Sequence, residues 1–218
     1  MRRTRTIINT IVVLLAVSPV AYLLLAWNTV PETIRMRFNI DEPVTEEHDR
    51  QTLLITTIVL SAVAVGVFLL MRNLRKIDPK VKAHTPVSGF DRIGVLAAIF
   101  TTFLNYAYVL SAVHGWEISE KMLFISGGVL FALLGNYMSS IKPNFFAGFR
   151  LPWTLSNENN WRRTHQLAGK LWFAGGILIA VLGWLLSPDV MHIVFLSIIT
   201  IMIVIPGIYS YRLYRAGN

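Results

Sequence analysis

Cysteine is absent from the 218-residue sequence. Its absence excludes disulfides, thiolate metal sites and cysteine nucleophiles, and leaves the redox compartment open. Charge is scarce: charged residues make up 15% of the chain against 54% hydrophobic, and the mean hydropathy is +0.55. That balance excludes an ordinary soluble domain. No nucleophile elbow, phosphate-binding glycine loop or metal-ligand spacing is present, so neither a metal nor another cofactor is expected. No Asp, Glu, Lys or Arg stands in the middle of an apolar run, where ion-coupled transporters and proton relays place them. There is also no inverted repeat or matched pair of broken helices.

What is present is a succession of six apolar runs, near 7–27, 53–71, 93–113, 122–138, 167–186 and 190–209. A helix rising about 1.5 Å per residue crosses a hydrocarbon core of about 30 Å in roughly 20 residues. The expected fold is therefore an all-α integral membrane protein with six transmembrane helices. The first run follows Arg2, Arg3 and Arg5 but exceeds the apolar core of a signal peptide, and no clear small-x-small site follows it, so a retained helix is expected.

The basic excess, 20 Lys and Arg against 12 Asp and Glu, alternates between loops. Arg2, Arg3 and Arg5 precede the first run; Arg72, Arg75, Lys76, Lys80 and Lys82 follow the second; Lys142, Arg150, Arg162 and Arg163 follow the fourth; Arg212 and Arg215 close the chain. The first loop, 28–51, carries arginines diluted by Glu32, Asp41, Glu42, Glu46, Glu47 and Asp49. By the positive-inside rule both termini are cytoplasmic, as six crossings require. The positive charge then reads as a topology signal and a contact with membrane lipids, not as a nucleic-acid footprint, and no direct nucleic-acid partner is expected.

Within the runs, Asn105 is the strongest polar group, on one helix face with Ala98, Thr101, Tyr108 and Ala112. An interhelical hydrogen bond is favoured over a ligand contact. Gly127, Gly128, Ala132 and Gly135 in the fourth run, and Ala168, Gly169, Gly175, Gly176, Ala180 and Gly183 in the fifth, form small-residue stripes. These predict that the two helices pack together and fix the loop between them. Pro19 and Pro206 each remove a backbone donor and are expected to bend their helices. Trp153, Trp161, Trp172, Tyr209 and Tyr211 suit one membrane interface, and Trp27, Trp116 and Trp184 the other.

The chemically dense stretch is the interruption 135–166. Asn136 ends the fourth helix, and Pro143-Asn144 is a turn signal. Gly148 and Pro152 punctuate 148–154, which is expected to be irregular backbone. The next helix is expected to start at Ser156 as N-cap, with Glu158 in its first turn. Glu158 and Arg162 have ion-pair spacing, Trp161 and His165 are also four apart, and Trp161, His165 and Ala168 face inward. Arg150 offers a planar fork for a carboxylate or phosphate, or for lipid headgroups. Glu158 and His165 lie about two turns apart, too far for a direct hydrogen bond, so they make a weak acid–base pair.

The run GNYMSSIKPNFFAGFRLPWTLSNENNWRRTHQLAGKLWFAGG, from Gly135 to Gly176, resembles the pattern of SdpI-type bacterial membrane proteins. The first third resembles the two-helix module that often precedes this family's core, through Val30-Pro31-Glu32-Thr33-Ile34 and Phe38-Asn39. It departs from the family's Pro-x-His-Phe run, reading Arg35-Met36-Arg37-Phe38 instead. The resemblance implies an N-terminal module at 1–83 and a four-helix core at 84–218 with its motif loop at 135–166. It also implies a non-enzymatic immunity protein of the bacterial cell membrane, protecting against a secreted toxic peptide and signalling by capture of a cytoplasmic transcriptional repressor. By that resemblance Asn136, Pro143, Asn144, Gly148, Arg150, Pro152, Trp153, Thr154, Glu158, Trp161, Thr164 and His165 hold motif positions for ligand or partner binding. The alternatives are a small transporter of an amphipathic peptide or lipid and, behind it, an interfacial enzyme using Glu158, His165 and Arg150.

Overall fold

A computed structural model describes residues 2–36, 46–81, 88–116 and 118–217. Phe38-Asn39 and the charges at 37–45, Lys82 and His84, and Glu117 lie outside the described residues. Among the described residues the chain is all-α apart from one small hairpin. It comprises α1 (Arg2–Leu25), a 3-10 turn (Trp27–Thr29), β1 (Thr33–Met36), β2 (Glu46–Asp49), α2 (Arg50–Arg72) and α3 (Leu74–Ile77), then α4 (Ser88–His114), α5 (Glu120–Met138), α6 (Pro152–Ser156), α7 (Glu158–Leu185) and α8 (Pro188–Arg215). Six of these helices are long and apolar enough to cross a membrane, as expected, and the chain is a multi-pass membrane protein. Large apolar side chains such as Leu25, Ile193 and Leu196 stand exposed on the helices, which suits lipid contact where it would not suit water.

The chain packs as two compact units. The first joins residues 1–70 to residues 94–120, which hold most of α4. Leu23, Val30, Ile34, Leu53, Val109 and Ala112 form its core at one end, and Val12, Phe68 and Ala98 form another cluster along it. Its hairpin is antiparallel, with Thr33 opposite Asp49 and Met36 opposite Glu46. Asn105 is fully buried and its amide donates to the Thr57 carbonyl and the Ser61 hydroxyl, each at 3.0 Å. This is the interhelical bond favoured from the sequence. Pro19 has no N–H for the carbonyl four residues back, and the Ser18 hydroxyl donates to that Leu15 carbonyl at 2.7 Å. Tyr106 in turn donates to Ser18.

The second unit contains residues 71–93 and 121–218. Its organising contact is between α5 and α7, as the small-residue stripes predict. A Cβ on Gly128 would strike the backbone of Gly176 and Ala180, one on Gly135 the backbone of Gly169 and Phe173, and one on Gly176 the backbone of Ala132. The seven-residue spacing of Gly128–Gly135 and of Gly169–Gly176–Gly183 keeps one glycine at each crossing level. Gly175 lies instead against Met202 and Ile198 of α8, and Gly127 meets nothing within 4 Å. Helix α8 continues through Pro206. The Met202 carbonyl, which loses its donor there, is met by the Trp172 indole N–H at 3.2 Å.

Candidate functional site

With α5 and α7 in backbone contact, the loop between them must fold back on its own helix ends. The structure shows how. Asn144 is fully buried; its side-chain oxygen accepts from the N–H groups of Phe146 and Ala147, at 2.7 and 2.6 Å. Its amide donates to the carbonyls of Lys142 and Ala147. One side chain thus closes the turn that the Pro143-Asn144 signal predicts. Gly148 follows with φ +102°, a conformation that L side chains rarely adopt. A Cβ there would also collide with His165 Nε2.

His165 is fully buried in α7, and its ring stacks on Trp161 with centroids 4.0 Å apart. Nε2 accepts the Phe149 N–H at 3.0 Å, and Nδ1 lies 2.8 Å from the Trp161 carbonyl. A nitrogen that accepts from an amide cannot carry the proton, so the ring is the Nδ1–H tautomer donating to Trp161. Trp161, also buried, donates its indole N–H to the Ile141 carbonyl at 2.8 Å. The pair at i, i+4 therefore holds both ends of the loop, Ile141 through Trp161 and Phe149 through His165.

Thr154 completes this inner layer. It is buried, donates its one hydroxyl proton to the Phe149 carbonyl at 2.6 Å, and accepts the Leu151 N–H. It begins no irregular segment: Pro152–Ser156 form α6, with Pro152 at the start, where its missing N–H costs nothing. The expected irregular backbone at 148–154 thus gives way to helix from Pro152 onward. The N-cap expected at Ser156 is instead Asn157, whose side chain accepts from Asn159 N and Asn160 N. Asn160 is buried and donates to the Ser210 carbonyl of α8, while Thr164 donates to its side-chain oxygen.

The remaining motif residues lie around this core. Trp153 donates to the Ser210 hydroxyl at 3.0 Å and stacks on Tyr214. Arg150 is exposed and donates to the Phe145 carbonyl at 2.7 Å. Glu158 is exposed in the first turn of α7, and Arg162 donates to Asn159. Asn136 faces a polar groove with Ser139, Gln166 and Lys170. Lys170 lies one turn inside the fifth apolar run, exposed, where a long stem lets the ammonium reach the headgroups. Trp161 is a core residue and leaves the expected interfacial aromatic belt, because its indole N–H has a backbone partner inside the fold.

Sequence reasoning missed Asp78. This residue is buried after α3, accepts the Lys80 N–H at 2.8 Å and the Phe145 N–H at 2.6 Å, and so ties the basic linker to the motif loop. Lys80 caps the Leu155 carbonyl and lies over the Phe145 ring. The signal available was a lone carboxylate in a basic stretch. Arg72 and Asp91 form an ion pair at 2.9 Å across the same linker. Beneath the loop lies a cavity of about 470 Å³ whose lining includes Leu134, Met138, Phe149, Arg150, Trp172 and Ile203.

These features define a class: a multi-pass helical membrane protein with a polar loop buried against the ends of its own helices. Residues 140–210 match the SdpI/YfhL protein family, so the match takes in the motif loop, α6, α7 and most of α8. The chain is 28% identical over 105 residues to "Immunity protein SdpI" of Bacillus subtilis (strain 168), covering 48% of this chain and 50% of that protein. It thus spans about half the length of the curated relative it matches. Both comparisons support the SdpI-type assignment read from Gly135 to Gly176. No solved structure matches.

Proposed function

We propose that this chain is a non-enzymatic immunity protein of the bacterial cell membrane, protecting its host from a secreted toxic peptide. The observation that carries the reading is that the segment matching the family, 140–210, contains the buried side chains of Asn144, Thr154, Trp161, Thr164 and His165 that build the loop core. A loop this heavily bonded presents a fixed surface, formed by Arg150, Trp153 and Glu158. A fixed surface suits recognition of a partner.

The non-enzymatic reading has its own support. His165 uses both ring nitrogens on backbone groups, so neither is available for proton transfer, and Glu158 stands exposed in the first turn of the same helix. The proposed topology places both termini and the motif loop in the cytoplasm, with a two-helix module at 1–83 and a core at 84–218. Toxin meets the protein at the outer loop 28–51 or within the membrane. In the finer form of the proposal, toxin shifts a two-state equilibrium and the loop surface captures a cytoplasmic repressor. A bias of a few kcal/mol would suffice for such a shift.

The test is survival of a toxin-sensitive bacterium expressing this chain and challenged with peptides of the sporulation-delaying type. Arg150→Ala and Trp153→Ala variants at matched abundance are compared alongside. Protection by the wild type and its loss in the variants is the expected result. No protection by correctly inserted wild-type protein overturns the immunity reading for these toxins. Equal recruitment of a candidate repressor to membranes with and without toxin overturns the sensing part.

A further inference from the structure

The cavity beneath the motif loop has a composition that selects its occupant. Its walls come from Ile93, α5, the loop 147–151, Trp172 and Ile203. Among the described residues that line it, Arg150 is the one charged side chain and none is a carboxylate. At about 470 Å³ it falls within the range of sites that hold small amphiphiles. It also has a direction. Arg150 stands in the loop three residues before Trp153, an aromatic residue suited to the interface, whose indole meets Ser210 of α8, whereas Ile203 lies seven residues, or about 10 Å, from Ser210 toward the middle of α8. Charge therefore sits at the interfacial end and an apolar slot runs toward the membrane interior.

The guanidinium is held in place for such a ligand. Its bond to the Phe145 carbonyl uses one of its N–H donors, and Phe145 is itself fixed by Asp78. The other donors of the fork suit a phosphate oxygen pair. A cation at the rim of an apolar slot, with the nearby Asp78 carboxylate engaged by the Phe145 and Lys80 N–H groups and not lining the slot, calls for an anionic head on a hydrocarbon tail. In a bilayer the abundant molecule of that description is an anionic phospholipid. We propose that this cavity is a binding site for one anionic phospholipid, its phosphate on Arg150 and the start of one acyl chain along Trp172 and Ile203. This inference rests on the cavity and on the membrane assignment; it shares Arg150 with the immunity reading, and its readout is lipid contact at Trp172 and not survival.

The experiment uses the full chain in phosphatidylcholine vesicles, with phosphatidylglycerol or phosphatidylcholine brominated on the acyl chain as quencher. The contribution of Trp172 is isolated by subtracting a Trp172→Phe variant. Quenching of Trp172 by brominated phosphatidylglycerol should saturate at low mole fraction, with about a fivefold preference over brominated phosphatidylcholine, the size expected of one arginine at an anionic bilayer surface. Arg150→Gln, a change at an exposed side chain, should remove the preference and leave quenching linear in mole fraction.

Equal quenching by both lipids, or a preference retained in Arg150→Gln, overturns the proposal. So does quenching that lacks charge preference yet is relieved by a hydrophobic peptide bearing a free C-terminal carboxylate, which would assign the cavity to peptide.

Discussion

Replacing Gly148 by alanine tests the motif loop at its tightest point. Two costs combine. The backbone at Gly148 has φ +102°, and holding a non-glycine residue in such a region costs about 1–3 kcal/mol. The added methyl also meets His165 Nε2, and the ring cannot yield freely because it stacks on Trp161 and is tied through Nδ1 to the Trp161 carbonyl. Moving it leaves the part-buried Phe149 N–H without its acceptor, a further cost of about 1–3 kcal/mol. Together the loop should lose about 2–6 kcal/mol. The assay is amide hydrogen exchange at Phe149 in detergent-solubilised protein, where even the lower figure gives about thirtyfold faster exchange.

A double-mutant cycle separates the two terms. In a His165→Ala background the collision disappears, and Gly148→Ala should cost only the backbone part, about 1–3 kcal/mol. Gly127→Ala, which meets nothing within 4 Å, serves as control and should leave Phe149 exchange unchanged. Equal cost of Gly148→Ala in both backgrounds, or unaltered exchange in the single variant, would refute the reasoning.

Three further outcomes follow from the packing. Gly135→Val and Gly176→Val place methyl groups against backbone and should each lower stability by at least the roughly 1–3 kcal/mol of overpacking, while Gly127→Val should be near neutral; thermal unfolding in detergent gives the comparison. Trp172→Phe leaves the Met202 carbonyl unsatisfied and should cost about 1–3 kcal/mol in denaturant unfolding. That cost should shrink in a Pro206→Ala background, where residue 206 regains its N–H, and an unchanged cost would remove the indole's role. Asn105→Leu should cost about 0.6–1.7 kcal/mol, from the average to the maximum found for interhelical hydrogen bonds in a membrane, and no loss on unfolding would show that Thr57 and Ser61 find other partners.

Much of this was legible in the chain. Apolar length gives the six crossing helices, because hydrocarbon thickness admits few other solutions. Small-residue spacing gives the α5–α7 contact, since only glycine and alanine let backbones approach so closely. Helical periodicity gives the inward face of Trp161, His165 and Ala168. Less legible were the start of α7 and the helix α6: Ser156 and Asn157 are both good caps, and the choice between them depends on where the chain must turn after Pro152. The hairpin of β1 and β2 was not read at all, as four-residue strands with charged residues carry little alternation.

The sequence by itself determined the solvent of this protein, the number of its crossings, the pair of helices that touch and the segment where chemistry gathers. Each follows from local composition or periodicity, which neighbouring residues carry among themselves. Only the tertiary structure decided what the polar residues do. Trp161 and His165 hold the loop because Ile141 and Phe149 come within hydrogen-bond reach, and Asp78 anchors Phe145 from 67 positions away. Trp172 satisfies the carbonyl that Pro206 frees on another helix. A backbone donor or acceptor has no sequence identity, so its partner becomes visible only when the chain is folded.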